Sequence, residues 1–156
     1  MAFDLSNLIR GKQPKPPRVV LYAGHGIGKS TFAASAPSPI FIQTEDGLGN
    51  IDTTAFPLAT TFSEVIEALD TLIGQEHDFQ TVAIDSLDWM EQLIWFDIEQ
   101  RYSEKETAYG KGAMIAVDNY WRPVLDRLNI LRNQRSMAVI LLAHCEVKKF
   151  DSPEVD

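Results

Sequence analysis

A glycine-rich segment, Ala23-Gly-His-Gly-Ile-Gly-Lys-Ser30, separates two parts of the chain that differ in character. Before it, Arg18-Val-Val-Leu-Tyr22 is a short, largely apolar run with β-branched residues, which predicts a strand buried on both faces. After it, a helical pattern runs from Lys29 to about Ala36, and Pro37 and Pro39 end it. The sequence therefore predicts a strand, a glycine-rich turn and a helix in direct succession.

The spacing of this turn fits the phosphate-loop pattern, with Ala23 in the place of the first glycine of the strict form. Glycines at 24, 26 and 28 let successive backbone amides turn inward around phosphate groups, and the following helix adds its positive N-terminal end. Lys29 would reach the β- and γ-phosphates, and the Ser30 hydroxyl would ligate Mg²⁺. His25 is expected to contribute its backbone. The predicted nucleotide-binding residues are Gly24, His25, Gly26, Ile27, Gly28, Lys29 and Ser30.

A carboxylate ends the apolar strand that is predicted over Thr81–Asp85. At this position Asp85 could hold a Mg²⁺-bound water beside Ser30. Alternatively, Asp85 caps the helix that is predicted to begin near Ser86. The presence of a phosphate loop favours the metal role, so Ser30 and Asp85 are the predicted metal ligands.

Two further polar residues follow apolar strands. Glu45 comes directly after the strand over Ile40–Gln43, where it could polarise a water for attack on the γ-phosphate. Asp46 competes for this role, and a solvated acidic loop is the third interpretation. His144 ends the apolar run Ala138–His144 and could contact the γ-phosphate, although a strand-end histidine is more often a hydrogen-bonded structural residue.

Strands alternate with amphipathic helices along the chain, which predicts an α/β domain with a mainly parallel sheet covered on both sides. Residues 1–17 are predicted to be a lead-in, since three prolines interrupt Gln13–Pro17, and residues 18–156 the core domain. Helices are predicted from Ser63, from Ser86 to Tyr102 and from Asp118 to Gln134, with an irregular loop over Ser103–Val117. Their predicted core-facing residues are Val65, Ile66, Leu69, Leu72 and Ile73, then Leu87, Met90, Ile94 and Ile98, and finally Trp121, Leu125, Leu128 and Leu131.

The charge is distributed unevenly over the 156 residues, although the net value of −8 alone would argue against nucleic acid as a partner. Residues 1–35 carry net +4, residues 36–100 carry thirteen acids and no Lys or Arg, and residues 101–156 carry net +1. No apolar run approaches the roughly 20 residues of a membrane span. The single cysteine, Cys145, indicates a reducing, cytoplasmic compartment, and the spacing of His77 and Cys145 predicts no zinc site.

The ordered set of motifs resembles the RecA-like ATPases, and more closely their small phage-encoded, ATP-binding members. The resemblance covers nearly the whole chain from Pro17. The segments that carry it are Leu21-Tyr-Ala-Gly-His-Gly-Ile-Gly-Lys-Ser-Thr31, Ile42-Gln-Thr-Glu-Asp-Gly47, Val82-Ala-Ile-Asp-Ser86, Tyr109-Gly-Lys-Gly112 and Val139-Ile-Leu-Leu-Ala-His144 with the tail to Pro153.

This resemblance implies a RecA-like three-layer core that binds ATP and Mg²⁺ through Lys29, Ser30 and Thr31. It implies that Glu45 is the catalytic glutamate, and that His144 is a sensor that couples the γ-phosphate to a DNA-binding loop. It also places the last strand between the phosphate-loop strand and Thr81–Asp85. Members usually continue beyond Pro153 and complete the site with a basic residue of a neighbouring subunit. The resemblance therefore implies a C-terminally truncated chain that forms a homo-oligomer.

The leading functional hypothesis is a Mg²⁺-dependent ATPase that acts on single-stranded DNA in phage recombination or replication. Some relatives in this family are core-only recombinases that anneal or exchange strands. A basic, partly aromatic loop could hold DNA phosphates and stack bases. The predicted nucleic-acid contacts are Arg101, Lys105, Tyr109, Lys111, Lys148 and Lys149.

Two other functions remain open at this point. A small-molecule phosphate-loop kinase would need an arginine-bearing lid. Arg122, Arg127, Arg132 and Arg135 follow one helix and its end, which is more typical of a solvated face. A nucleotide-switched accessory module would bind ATP with little hydrolysis.

Overall fold

The computed structural model describes residues 4–145. Five parallel strands form one sheet in the spatial order β1-β5-β4-β2-β3. Their bounds are Arg18–Ala23 (β1), Pro39–Gln43 (β2), Thr54–Ala55 (β3), Thr81–Asp85 (β4) and Ala138–His144 (β5). The predicted α/β class and the position of the last strand are therefore confirmed.

The register aligns the carboxyl ends of the central strands. Asp85 at the end of β4 pairs with Gln43 at the end of β2, and Ala23 at the end of β1 pairs with His144 at the end of β5. Because all five strands are parallel, the residues that follow β1, β2, β4 and β5 meet at one edge of the sheet. This edge carries the residues that the sequence singles out.

Helices cover both faces of the sheet and give three layers. Helix α1 lies on one face, where Ala33 is packed with Phe41, Ala83 and Leu142. Three longer helices cover the other face, where Ile84, Leu69, Ile94 and Leu131 are fully buried. The helix bounds are Lys29–Ala34 (α1), Phe62–Gly74 (α2), Leu87–Arg101 (α3), Glu104–Thr107 (α4), Lys111–Ile115 (α5) and Arg122–Gln134 (α6).

The prediction that β1 is buried on both faces is wrong. Within the described residues β1 is an edge strand with β5 as its neighbour, and Val20 and Tyr22 are exposed. Leu21 points to the opposite face and packs against the α1 side of the core. An apolar run shows that a strand has apolar surface, but it does not show how many strands flank it.

The N-cap of helix α2 lies two residues before Ser63, the predicted cap. Thr61 is the cap: its hydroxyl accepts a hydrogen bond from the Glu64 backbone N–H, and the Glu64 carboxylate accepts one from the Thr61 N–H. This reciprocal pair is a capping box, which satisfies two backbone donors that the first turn leaves free. The buried face is as predicted, with Val65, Leu69 and Leu72 inside.

The predicted irregular loop over 103–117 contains the short helices α4 and α5. A π-helical segment, Ala116–Trp121, then leads directly into α6. The extra residue in a π-helical turn changes which side chains face the core. Tyr120 and Val124 are buried with Leu128 and Leu131, whereas Leu125, predicted to face the core, is 49% exposed.

The end of the proline-rich lead-in is held against the domain. The Pro16 carbonyl accepts a hydrogen bond from the Arg132 guanidinium at 2.6 Å, and the Pro17 carbonyl accepts one from the Val139 N–H at 3.0 Å. Among the helices of residues 4–145, none combines the length and the apolar character that crossing a membrane requires.

Candidate functional site

The glycine-rich loop connects β1 to α1 and depends on glycine at two positions. Gly26 and Gly28 have φ angles of 74° and 94°, which side chains of L-residues rarely allow. The Lys29 ammonium donates to the carbonyls of Ala23, at 3.0 Å, and Gly24, at 2.8 Å. Ala23 thus contributes its backbone carbonyl, which any residue offers, and this explains why alanine can stand here.

Ser30 and Asp85 meet at the start of α1. The Ser30 hydroxyl donates to Asp85 Oδ2 at 2.6 Å. Asp85 is 6% exposed, and this burial raises the pKa of its carboxyl, while the Ser30 hydrogen bond lowers it. Among the described residues no Lys, Arg or His forms an ion pair with Asp85, and a hydroxyl and a buried carboxylate are hard oxygen donors, so this pair fits Mg²⁺.

Glu45 follows β2 and is half-buried. It lines a cavity that Ser30 and Asp85 also line. Its Oε2 accepts a hydrogen bond from the Ser86 hydroxyl at 3.3 Å, and Ser86 is itself fixed by Thr44. The Thr44 hydroxyl accepts from the Ser86 N–H at 3.0 Å and donates to the Ser86 carbonyl at 2.7 Å. Asp46 is exposed and does not line the cavity, so the geometry favours Glu45 over Asp46.

His144 is held by Asp88, which lies in the first turn of α3. Its backbone N–H and its Nδ1 lie 2.9 Å and 2.8 Å from the two carboxylate oxygens of Asp88. These contacts lower the pKa of the Asp88 carboxyl despite the opposing effect of its partial burial. The His144 ring also stacks on His25 at 3.9 Å, and its Nδ1 lies 3.8 Å from Glu45 Oε2.

One cavity therefore collects the phosphate loop, a hydroxyl–carboxylate pair, a glutamate and a histidine. Its lining includes Lys29, Ser30, Thr31, Glu45, Asp85 and His144. A family model described as an AAA domain matches residues 15–156. The chain belongs to the AAA-domain family. A search of curated proteins finds no match to it.

Membership agrees with the fold, since the AAA domain and the all-parallel sheet identify a phosphate-loop NTPase with a RecA-like architecture. This is the domain type of nucleotide-binding ATPases. Of the residues predicted from the sequence, the cavity brings together Glu45, Asp85 and His144 with most of the phosphate loop, whereas Gly24 and Ile27 do not line it. Their individual roles remain predictions.

Three residues that hold the site of this AAA domain together were not predicted from the sequence. Ser86 lies between β4 and α3, Asp88 lies in the first turn of α3, and Thr44 directly follows β2. Residues 85–88 form hydrogen bonds with three predicted site residues. Asp85 bonds to Ser30, Ser86 bonds to Glu45, and Asp88 bonds to His144. The polar residues Ser86 and Asp88 directly after Asp85 could have indicated this role, but polar residues at this position are equally typical of the start of a helix.

The predicted DNA-binding residues form a separate region of the AAA domain. Arg101 ends α3, about 21 Å along the helix axis from Leu87, and is ion-paired with Asp97 at 2.7 Å. Lys105, Tyr109 and Lys111 follow it and are exposed. The structure does not bring these residues to the nucleotide cavity, and Lys148 and Lys149 lie outside the described residues.

Proposed function

We propose that this domain binds ATP with Mg²⁺ and hydrolyses it to ADP and phosphate. The observation that carries the proposal is the single cavity in which Lys29, Ser30, Asp85 and Glu45 converge. Backbone amides of the loop and the Lys29 ammonium would bind the β- and γ-phosphates, after Lys29 exchanges its two carbonyl partners for phosphate oxygens. Thr31, at the mouth of the cavity, would bind phosphate as well.

Ser30 and Asp85 would hold Mg²⁺, which when bound neutralises charge on the transferred phosphoryl group. Ser30 would supply its hydroxyl oxygen, and Asp85 would accept hydrogen bonds from ion-bound water. The burial that raises the pKa of Asp85 disfavours its charge without a cation. Occupation of the site would therefore stabilise the arrangement that the fold already provides.

Glu45 would orient the attacking water and take its proton. The Ser86 hydroxyl donates to one carboxylate oxygen of Glu45, and Glu45 lines the cavity. Its neighbour His144, oriented by Asp88, is suited to contact the γ-phosphate and report its presence to the segment after β5. A basic residue of a second subunit would complete the site, as in the oligomeric relatives that the motifs resemble.

The proposed substrate partner is single-stranded DNA in phage recombination or replication, in the host cytoplasm. Support comes from Arg101, Lys105 and Lys111, which are exposed on the segment from the end of α3 to the start of α5, and from the fully exposed ring of Tyr109, which is available for base stacking. Fluorescence anisotropy at low salt should detect binding that ATP strengthens. Absence of binding with and without ATP would overturn this part of the proposal.

The arginines that a kinase lid would need are engaged elsewhere. Arg122 pairs with Asp118, Arg127 with Asp70, and Arg132 donates to the Pro16 carbonyl. These contacts are those of a helix fixed to its surroundings, so the structure gives no support to the kinase alternative.

The substitution Glu45→Gln separates hydrolysis from binding, with Asp46→Asn as the matched control. We expect Glu45→Gln to lower ATP turnover on the order of 100-fold, because the amide accepts no proton, while ATP affinity stays within about threefold. Asp46→Asn should change neither. Equal turnover in wild type and Glu45→Gln would contradict the catalytic role and favour the accessory-module alternative.

A further inference from the structure

Two imidazoles and one carboxylate approach each other at the mouth of the cavity. His25 comes from the phosphate loop, Glu45 from the end of β2 and His144 from the end of β5. One potential ligand atom of each lies within 4.8 Å of the other two. Among the described residues, no other group of three His, Cys, Asp or Glu side chains brings its potential ligand atoms this close together. Two histidines and a glutamate form the ligand set of many zinc sites.

Asp88 supports this interpretation independently of the spacing. It lies 2.8 Å from Nδ1 of His144, so the neutral ring donates its Nδ1–H to the carboxylate and keeps a lone pair on Nε2. A ligating histidine in proteins characteristically donates its other N–H to a carboxylate, which fixes the ring and raises the basicity of the ligand. Asp88 therefore leaves Nε2 as the ligand atom of His144, because Nδ1, which lies 3.8 Å from Glu45 Oε2, is engaged by the Asp88 carboxylate.

The charges around the cavity favour a cation. Glu45, Asp85 and Asp88 line or border it, and the one ammonium among the described residues that line it, that of Lys29, is turned toward the carbonyls of Ala23 and Gly24. Imidazole nitrogens select borderline-soft ions such as Zn²⁺ or Co²⁺ over Mg²⁺, which prefers oxygen. The trio is thus chemically distinct from the hydroxyl–carboxylate pair of Ser30 and Asp85.

We propose that His25, Glu45 and His144 form a binding site for a divalent transition-metal ion of the zinc class in the nucleotide-free protein. Tetrahedral coordination needs donor separations of roughly 3.3 Å, so ligand atoms that lie within 4.8 Å of one another must approach by up to about 1.5 Å, and the His25 ring must turn out of its stack on His144. His25 is exposed on the loop, and its side chain can make this movement without disturbing the core. Spacing along the sequence does not reveal the site, because its ligands come from three separate elements.

Binding at this site has a consequence that rests on the proposed function. Glu45 and His144 would be engaged by the ion, and these are the groups proposed to face the γ-phosphate. A zinc-class ion and ATP therefore compete, and the ion acts as an inhibitor of the nucleotide site.

The test uses the full chain without an affinity tag, titrated with CoCl₂ in the absence of nucleotide. Visible absorption reports tetrahedral cobalt, and ZnCl₂ should then displace it. We expect saturable binding of one ion that His25→Ala weakens at least about tenfold and that Asp88→Asn weakens roughly 10-fold to 100-fold. The third histidine provides the matched control: His77→Ala should leave the titration unchanged, because His77 bonds to the Leu72 carbonyl within α2.

Equal cobalt affinity in wild type and His25→Ala overturns the proposal, as does an absence of saturable binding. Circular dichroism should show that the exposed His25→Ala substitution leaves the fold intact. If ATP binds without displacing the metal, only the proposed competition is overturned. If the protein does not bind ATP at all, the proposed function is contradicted, and the cobalt titration still shows whether the metal site exists. Excess MgCl₂ that removes cobalt as readily as ZnCl₂ also contradicts the assignment.

Discussion

The nucleotide edge of the sheet and residues 101–111, called the basic loop although they include the end of α3, helix α4 and the start of α5, are built in different ways. At the nucleotide edge, residues from four strand ends interlock: Ser30 bonds to Asp85 and His144 bonds to Asp88, across 55 and 56 positions of sequence. In the basic loop, Lys105 and Lys111 are exposed side chains without comparable tertiary contacts among the described residues.

This difference shows where function depends on geometry and where it depends on charge. At the nucleotide edge each functional side chain is positioned by a hydrogen bond to another residue. A substitution that keeps the charge but removes such a hydrogen bond should therefore lower activity there. The basic loop offers charge and an aromatic ring on an exposed surface, so net charge should matter more than exact placement. The predictions that follow test this contrast.

Among residues that do not touch the nucleotide, the largest effect is expected for Asp88, which orients His144. Asp88→Ala should lower the ATPase kcat on the order of 10-fold to 100-fold, with ATP affinity changed less than about threefold, because His144 loses both of its contacts. Glu91→Gln, an exposed site on the same helix, is the control. An unchanged kcat would show that the orientation of His144 is irrelevant to turnover.

Nitrogen NMR of the imidazoles distinguishes positioning from a general loss of structure. Wild-type His144 should carry its proton on Nδ1, facing Asp88, whereas His77 should carry it on Nε2, facing the Leu72 carbonyl. Asp88→Asn should shift His144 toward the Nε2–H form and leave His77 unchanged. A wild-type His144 with its proton on Nε2 would contradict the arrangement.

The next effect concerns the basic loop. Replacing Arg101, Lys105 and Lys111 together with Gln should weaken single-stranded DNA binding on the order of tenfold at low salt and reduce the salt slope by about 2. ATP affinity should stay the same, because these residues do not line the nucleotide cavity. Arg122→Gln, outside the loop, should affect DNA binding little. An unchanged salt slope would remove the loop from the DNA-binding surface.

A smaller effect is expected on stability from Asp85. Burial raises the pKa of this carboxyl in the folded protein, so the protonated form is favoured by folding. The resulting contribution to the free energy of unfolding is fully present below the pKa of the unfolded chain and is lost as pH rises through the higher pKa of the folded protein. At neutral pH the nucleotide-free Asp85→Asn variant should therefore melt a few degrees higher than wild type, with the difference shrinking toward about pH 4. A lower melting temperature for the variant at neutral pH would contradict the stated cause.

The smallest effect is expected at the start of α2. Backbone N–H groups of Thr60 and Thr61 lower the pKa of Glu64, whose ordinary value is 4.5. Its contribution to stability is present above that value and is lost as pH falls through the lowered one. Melting temperatures should therefore fall slightly more for wild type than for Glu64→Gln between about pH 6 and pH 3.5. Parallel curves would show that the capping contact contributes nothing.

The comparison also explains what could be predicted from sequence. The phosphate loop was recognisable because its glycines and Lys29 are contiguous, and Asp85 and Glu45 because parallel strands bring their ends together. Ser86 and Asp88 were missed because their partners lie 41 and 56 positions away. The burial of β1 was predicted wrongly because a strand's neighbours are set by topology, which its own residues do not encode.

The central claim is that the carboxyl edge of this sheet binds ATP through the phosphate loop. Calorimetric titration of Mg²⁺-ATP into wild type, Lys29→Ala and Lys105→Ala tests it most directly. We predict saturable one-to-one binding to wild type and Lys105→Ala, and affinity weaker on the order of 100-fold for Lys29→Ala. Wild type that does not bind ATP, or binds it no better than Lys29→Ala, would contradict the claim.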